Sequence, residues 1–300
     1  MTDTPDDRGK ALAMLLLGAC VIGVGPVLVR LSETGPAAAG FWRLVFAPPL
    51  LALMGRTTGG LGKAPRAAVL AGVAFALDLG FWHYGIANTS VAKATVLSNL
   101  TPVLVTAFAW IFLRQRPRRL FLLAVALAVA GAWTMALTRG AGSTGVNPPL
   151  GDALSVATAV WYSLYFLVVA SARRSRSATR IMFWSTRVGA PLMLLAAVAL
   201  GERVVPAGPG GWTACAGLGL MHVAGQGSIA WALGRLPAAT ASVVVLVQPV
   251  VAALLGWLLF NELLGTWPAV GAAVALAGVV LAQWASRPKP AETLPASAPT

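Results

Sequence analysis

Long apolar stretches recur along the whole chain, and short charged or Pro/Gly-rich segments separate them. A helix needs about twenty apolar residues to cross a hydrocarbon core of about 30 Å, and no soluble domain fits between the stretches. The pattern therefore predicts an all-α integral membrane protein with ten transmembrane helices. The predicted spans are about 11–29, 36–54, 67–87, 91–113, 120–138, 150–171, 179–200, 212–233, 238–260 and 267–286.

Composition and charge support this interpretation. The 300 residues are 58% hydrophobic and only 10% charged, against about 25% charged in an ordinary soluble domain. The net charge of +13 does not indicate a nucleic-acid partner, because the cations are scattered between the spans. With the N-terminus in the cytoplasm, sixteen of the 22 Lys and Arg residues fall on cytoplasmic segments, which predicts that both termini are cytoplasmic.

Two stretches of the chain repeat at a nearly constant spacing. VAKATVLSNLTPVLVTAFAWIFLRQ, from Val91, matches AATASVVVLVQPVVAALLGWLLFNE, which begins 147 residues later and aligns Pro102 with Pro249. FWRLVFAPPLL, from Phe41, matches FWSTRVGAPLM, from Phe183, at a shift of 142. The shift of 147 continues into span five, where it aligns Gly131 with Gly278. The matches therefore pair spans two, four and five with spans seven, nine and ten, so each copy has five spans.

An odd number of spans inverts the second copy relative to the first. We therefore predict two inverted five-helix repeats around a central cavity. The predicted segments are a cytoplasmic N-terminus (1–10), a first repeat (11–138), a linker (139–149), a second repeat (150–286) and a disordered cytoplasmic tail (287–300).

Polar groups inside the spans are the candidates for a substrate site, because they are costly in a membrane. Asp78 in span three, with His222 and Gln226 in span eight, could hold the ammonium and carboxylate groups of an amino acid. Alternatively, Asp78 pairs with Arg43 and locks two helices together, while His222 makes an ordinary helix contact.

Two arginines and several aromatic residues extend this candidate site. Arg43 and Arg187 lie in spans two and seven, where either could bind a carboxylate, although Arg187 could instead reach the membrane surface. Aromatic rings suit apolar or aromatic substrates, but Trp and Tyr also form belts at membrane interfaces. The aromatic candidates are Trp42, Phe81, Trp82, Trp161 and Tyr165.

Prolines and glycines inside the spans predict hinges. Pro102 and Pro249 fall about halfway along spans four and nine, where proline removes a backbone hydrogen bond and kinks the helix. Gly25 and Pro26 interrupt span one. The neighbouring Asn99, Thr101 and Gln248 could either satisfy the freed carbonyl groups or contact substrate.

The repeated Pro-Val and the endings WIFLRQ and WLLFNE resemble EamA-type exporters of the drug/metabolite transporter superfamily. Size and aromatic content are most similar to bacterial aromatic amino-acid exporters. The resemblance implies a multi-pass protein of the bacterial-type inner membrane that exports small metabolites by alternating access. An acid stands at the second ending, Glu262, but Gln115 stands at the first, so no acidic role carries over to that copy.

From these observations we expect a non-enzymatic exporter of aromatic or other apolar amino acids, either uncoupled or acting by exchange. An exporter of amphipathic drugs or of another metabolite is an alternative, and a non-transporting structural or receptor protein is a second. We expect no cofactor and no metal, since Cys20 and Cys215 both lie within apolar runs. The expected partners are the lipid bilayer and a small-molecule substrate, with the protein a monomer or weak homodimer.

Overall fold

The computed structural model describes residues 5–89, 91–114, 116–137, 146–260 and 265–286. The predicted tail, most of the predicted linker, Gln115 and Glu262 lie outside these residues. Every regular element within the described ranges is helical. The helices are α1 (Pro5–Ile22), α2 (Gly25–Leu31), α3 (Pro36–Gly55), α4 (Arg66–Asn88), α5 (Val91–Ser98), α6 (Thr101–Leu113), α7 (Arg119–Leu137), α8 (Pro148–Ala172), α9 (Ala178–Ala199), α10 (Pro209–Met221), α11 (Gly227–Ala232), α12 (Ala238–Val244), α13 (Val247–Phe260) and α14 (Thr266–Ala285).

Four of the predicted spans are interrupted rather than continuous. The prolines at 26, 102 and 249 lie in the first turns of α2, α6 and α13, so spans one, four and nine each consist of two helices. Span eight is interrupted by a π-helical turn, His222–Gln226, between α10 and α11. In contrast, α3 and α9 continue through their internal prolines.

Seven helical segments in the described part of the chain are long and apolar enough to cross a membrane. Thr101–Phe112 and Arg119–Met135 are shorter apolar helices. Large apolar side chains such as Phe112, Leu195 and Val280 are exposed on the outside of the bundle, where hydrocarbon rather than water would surround them. The protein is thus an all-helical, multi-pass membrane protein.

Small residues allow the closest helix contacts. A Cβ atom added to Gly131 of α7 would collide with the backbone of α14 at Ala275 and Gly271. A Cβ atom on Gly278 of α14 would likewise collide with Ala128 of α7. Backbones can approach this closely only where side chains are small, so these glycines explain why α7 and α14 pack along each other.

The remaining helix contacts surround the interior of the bundle. α3 packs against α9 and α10, while α4 packs against α8 and α9. α1 packs against α11 and the π-helical turn, and α3 also contacts this turn. As a result, α3, α4, α8 and the π-helical turn all contribute side chains to one interior region.

Candidate functional site

The interior region is organised around a hydrogen bond between Arg43 of α3 and His222 of the π-helical turn. Arg43 Nε donates to His222 Nδ1 at 3.1 Å. Because Nδ1 accepts this bond, the neutral imidazole carries its proton on Nε2. That Nε2 is buried and has no hydrogen-bond partner among the described residues. The pair therefore leaves one unused donor inside the bundle.

Phe75 of α4 joins this pair to α8. Its ring centroid lies 5.3 Å from Arg43 Cζ, a distance at which a cation and a ring attract each other. The same ring lies 5.5 Å from the His222 ring and 5.1 Å from the Tyr165 ring. The Phe75 ring thus connects α3, the π-helical turn and α8.

A second set of hydrogen bonds starts at the other end of the π-helical turn. Gln226 Nε2 donates to the Tyr165 hydroxyl group at 3.0 Å, and that hydroxyl donates to the sulfur of Met182 at 3.7 Å. Gln226 and Tyr165 each retain only 1% of their surface exposed. These bonds hold α8, α9 and the π-helical turn together.

Asp78 supplies the acidic group of this region. It is buried, with 7% of its surface exposed, and it interacts electrostatically with Arg43 and Tyr162. No ion-pair distance joins Asp78 to Arg43 in the described structure, and the Arg43 Nε–H donates to His222. The half-buried guanidinium of Arg43 and the buried side chain of Asp78 therefore interact electrostatically without forming an ion pair.

Aromatic side chains of α4 and α8 lie beside these polar groups. The Phe81 and Trp161 rings are nearly parallel, with centroids 6.4 Å apart and planes 8° apart. Tyr162 and Tyr165 are also parallel, with centroids 6.0 Å apart. We call these four rings the aromatic wall. Phe81, Trp161 and Tyr162 keep part of their surface accessible.

We call the interruptions at Pro102 and Pro249 the proline breaks. Each frees one backbone carbonyl group, and the two carbonyl groups accept hydrogen bonds from different donors. Pro102 has no N–H to bond the Ser98 carbonyl, and the Thr101 hydroxyl group bonds that carbonyl at 2.9 Å. Pro249 likewise frees the Val245 carbonyl, which accepts from the backbone N–H of Gln248 at 2.9 Å.

Two side-chain amides at these breaks remain without partners. The amide nitrogens of Asn99 and Gln248 are buried and have no hydrogen-bond partner among the described residues. Buried unpaired donors are rare in proteins. Each break therefore contributes one unused donor, a feature that a purely structural hinge does not require.

Comparison with known proteins identifies the family. The model of the EamA-like transporter family matches the chain twice, over residues 9–137 and 149–284. The chain belongs to the EamA-like transporter family. An uncharacterised transporter of Archaeoglobus fulgidus is 27% identical over 271 residues, which cover 90% of this chain and 95% of the relative. A crystal structure of another protein, 18% identical, superposes with a TM-score of 0.79 over 93% of this chain and 99% of the other.

As a member of this family, the chain is a transporter, its relatives are not enzymes, and its partners include the bilayer and a small-molecule substrate. In the described residues, no group of His, Cys, Asp or Glu side chains is arranged to hold a metal ion.

Two of the predicted site residues lie away from the interior region of this EamA-like transporter. The Trp42 indole N–H donates to the Val204 carbonyl at 2.8 Å, and its ring packs edge-on against Trp212 at 4.7 Å. Arg187 is exposed on the stripe of α9 that also carries Leu195. Its guanidinium lies over the Phe183 and Trp184 rings, 5.5 and 5.8 Å from their centroids. Trp42 therefore makes its contacts near one end of the bundle, and Arg187 makes its contacts on the outside of the bundle.

The other predicted residues fall into three groups. The structure brings Arg43, Asp78, Tyr165, His222 and Gln226 together, and places Phe81 and Trp161 beside them. Asn99, Thr101, Gln248, Pro102 and Pro249 form the two breaks. Trp82 packs on His83 with centroids 5.2 Å apart, and Gly25 and Pro26 begin α2.

Sequence reasoning missed three residues of this region. Phe75 and Tyr162 are not among the predicted site residues, and only the tertiary structure shows the contacts of Phe75 with Arg43 and of both rings with Tyr165. His83 is buried, interacts electrostatically with Arg43, and has no hydrogen-bond partner for Nδ1 among the described residues. The signal for His83 was present, because an ionisable residue inside a predicted span is a site candidate by itself.

Proposed function

We propose that this transporter exports amino acids with aromatic or other apolar side chains, and related small metabolites, by alternating access across a bacterial-type inner membrane. Export is uncoupled or proceeds by exchange. The observation that carries the proposal is the interior placement of Arg43 and Asp78, two opposite charges that are close but not bonded, beside the aromatic wall.

The carboxylate of the substrate would bind between Arg43 and His222. A guanidinium presents its donors in a planar fork that matches a carboxylate, and the Nε bond to His222 leaves the two terminal nitrogens of Arg43 for this purpose. His222 Nε2 adds a donor that has no described partner. A bound carboxylate would therefore satisfy groups that are otherwise left unpaired.

The ammonium group of the substrate would bind near Asp78. A zwitterion placed between Arg43 and Asp78 neutralises both protein charges without adding net charge to the interior, which a low-dielectric region favours. The side chain of the substrate would then face the aromatic wall, where an apolar or aromatic group packs against Phe81, Trp161 and Tyr162. This arrangement favours amino acids over simple cations or sugars.

The fold supports two inverted units of five spans each. The family model matches each half of the chain separately. Trp42 of α3 donates to Val204, in the segment after α9, and Trp184 of α9 donates to Leu61, in the segment after α3. Each repeated tryptophan therefore contacts the loop that follows the other copy's helix, as a two-fold axis in the membrane plane would require.

Helix packing supports the same symmetry. α3 packs against α9, and α7 against α14, which are the matching helices of the two units. The contact between α4 and α8 corresponds to the contact between α11 and α1 in the other unit. The contact between α4 and α9 corresponds in the same way to the contact between α10 and α3. Two units related in this way could rock against each other around a central substrate.

The proline breaks and the break before Gly25 and Pro26 would be the hinges of this motion. Each removes regular hydrogen bonds within a span, so bending there breaks fewer interactions than bending elsewhere. The excess of basic residues at one end predicts that both termini are cytoplasmic.

Counterflow in proteoliposomes tests the proposal. Vesicles containing the purified transporter are loaded with unlabelled phenylalanine, tryptophan, leucine or an amphipathic drug, and the uptake of labelled phenylalanine and, in a parallel series, of the labelled drug is measured. We expect the aromatic amino acids to drive uptake and to compete with each other. If no amino acid exchanges or competes but the drug does, the amino-acid proposal is wrong and drug export takes its place.

A further inference from the structure

Arg173 and Arg235 lie close enough to interact electrostatically where α8 and α11 end, at the basic end of the bundle. Arg173 follows α8 directly, donating from Nε to the Ala230 carbonyl at 3.0 Å and from Nη1 to the Arg176 carbonyl. Arg235 lies shortly after α11, with Cζ 3.6 Å from the centroid of the Trp231 ring. It also donates from Nη1 to the Trp231 carbonyl at 3.3 Å. Both guanidiniums are therefore held in place.

The two positive charges act on each other. Partial burial, and then the charge of Arg235, lowers the pKa of the Arg173 guanidinium. The sequence contains no acidic residue between Asp152 and Glu202 or between Glu202 and Glu262. Glu202 bonds Ala38 at the opposite end of the bundle, at 2.9 Å. Neither arginine thus has an acidic residue near it in the sequence.

Both arginines retain hydrogen-bonding capacity. Each guanidinium has five N–H donors, and the described bonds use two donors of Arg173 and one of Arg235. Gly234 lets the Arg173 guanidinium pack directly against the backbone next to Arg235, because a Cβ atom at this position would lie only 2.8 Å from a terminal nitrogen of Arg173. An anion could therefore bond both side chains without displacing their backbone contacts.

We propose that Arg173 and Arg235 bind the phosphate group of an anionic phospholipid. Guanidinium forks match phosphate oxygens, and an anion between two like charges removes their repulsion. Trp231 lies in the last turn of α11, and aromatic residues at the ends of membrane helices gather at the interface, where lipid phosphates lie. Basic pockets between membrane helices at the cytoplasmic side are where anionic headgroups bind.

The same phosphate chemistry is present in soluble anions, so the experiment separates the two sources. The purified transporter is placed in nanodiscs of phosphatidylcholine, with or without phosphatidylglycerol, and retained lipid is measured by native mass spectrometry. Thermal unfolding is followed in parallel, with inorganic phosphate or glycerol phosphate added to the phosphatidylcholine discs. We expect phosphatidylglycerol alone to be retained selectively and to raise the unfolding temperature.

Variants locate the lipid site. We expect Arg173→Gln combined with Arg235→Gln to weaken the selective retention by about tenfold or more, the cost of one or two charge-assisted hydrogen bonds. The matched control is Arg56→Gln combined with Arg66→Gln, which removes two exposed charges from the same end of the bundle and should change retention less than twofold.

A variant that leaves both arginines in place tests the site even if the double variant fails to fold. Gly234→Ala displaces the Arg173 guanidinium but keeps both charges, and we expect it to weaken retention as well. Equal retention of both lipids, unchanged retention in Gly234→Ala, or the same stabilisation by soluble phosphate would overturn the lipid assignment. None of these measurements requires transport, so the result is independent of the proposed function.

Discussion

α3 and α9, the helices that carry the Phe-Trp repeat, agree in one respect and differ in another. Their tryptophans, Trp42 and Trp184, make the same reciprocal contact to the loop after the other helix. Their arginines do not match, because Arg43 bonds His222 inside the bundle, whereas Arg187 is exposed and lies over its own helix's rings. The two copies thus share a framework, while the chemistry of the interior comes from one copy's arginine.

The same division applies to α4 and its counterpart in the second copy. α4 is a continuous helix that contributes Asp78, whereas the counterpart is interrupted by the π-helical turn that contributes His222 and Gln226. π-helical turns of this kind are often found at functional sites. Two halves that each match the family model but differ in their interior residues suit the proposed substrate, whose two ends differ in charge.

Replacing the two arginines tests this comparison most strongly. We expect Arg43→Gln to reduce amino-acid counterflow by about tenfold or more, since a charge-assisted hydrogen bond is lost and Asp78 keeps an uncompensated charge. Arg187→Gln should change counterflow less than about twofold, because its guanidinium is exposed. Equal losses in both variants, at matched protein levels in the vesicles, would show that the two copies contribute equally.

Asp78 provides the next test. Asp78→Asn or Arg43→Gln alone leaves one charge unbalanced in the interior, but the double substitution removes both. We expect the loss of unfolding free energy in the double variant to be smaller than the sum of the two single losses by about 1–3 kcal/mol. The measurement is reversible denaturation in detergent micelles. Additive losses would mean that the two charges do not interact.

The tryptophans should behave alike, in contrast to the arginines. Trp42→Phe and Trp184→Phe each remove one indole hydrogen bond to a carbonyl group and should each cost about 0.5–1.5 kcal/mol of stability. We expect similar decreases in unfolding temperature and additive effects in the double variant, since the two contacts lie at opposite ends of the bundle. A large difference between the two decreases would contradict the two-fold relation.

Substitutions at the proline breaks are expected to change stability by about 1 kcal/mol or less. They separate a role in the hinge from a role in transport. Thr101→Val removes the hydroxyl group that bonds the Ser98 carbonyl and should cost about 1 kcal/mol. Gln248→Leu removes a buried amide that has no described partner, so stability should stay equal or rise while counterflow falls. Unchanged counterflow in Gln248→Leu would assign this residue to the hinge alone.

Hydrophobic patterning alone predicted the membrane class, the all-helical fold and most helix positions, because a bilayer requires long apolar helices whatever their packing. It also predicted Arg43, Asp78, His222 and Gln226 as site candidates, since polar residues are rare in such helices, and their part in binding stays a prediction. The proline positions predicted breaks in spans one, four and nine, because proline cannot complete the backbone hydrogen bonds, but the same argument is wrong for Pro48 and Pro49, through which α3 continues.

Only the tertiary structure decided which of these residues meet. The sequence allows both Arg43 and Arg187 to bind a carboxylate and leaves open whether Arg187 reaches the membrane surface, but the direction of each side chain depends on how α3 and α9 rotate against their neighbours. The π-helical turn has no reliable signal in the sequence, since one extra residue in a turn is selected by contacts with α1 and α3. Those contacts, summed over many side chains that are far apart in the chain, orient the interior of this transporter.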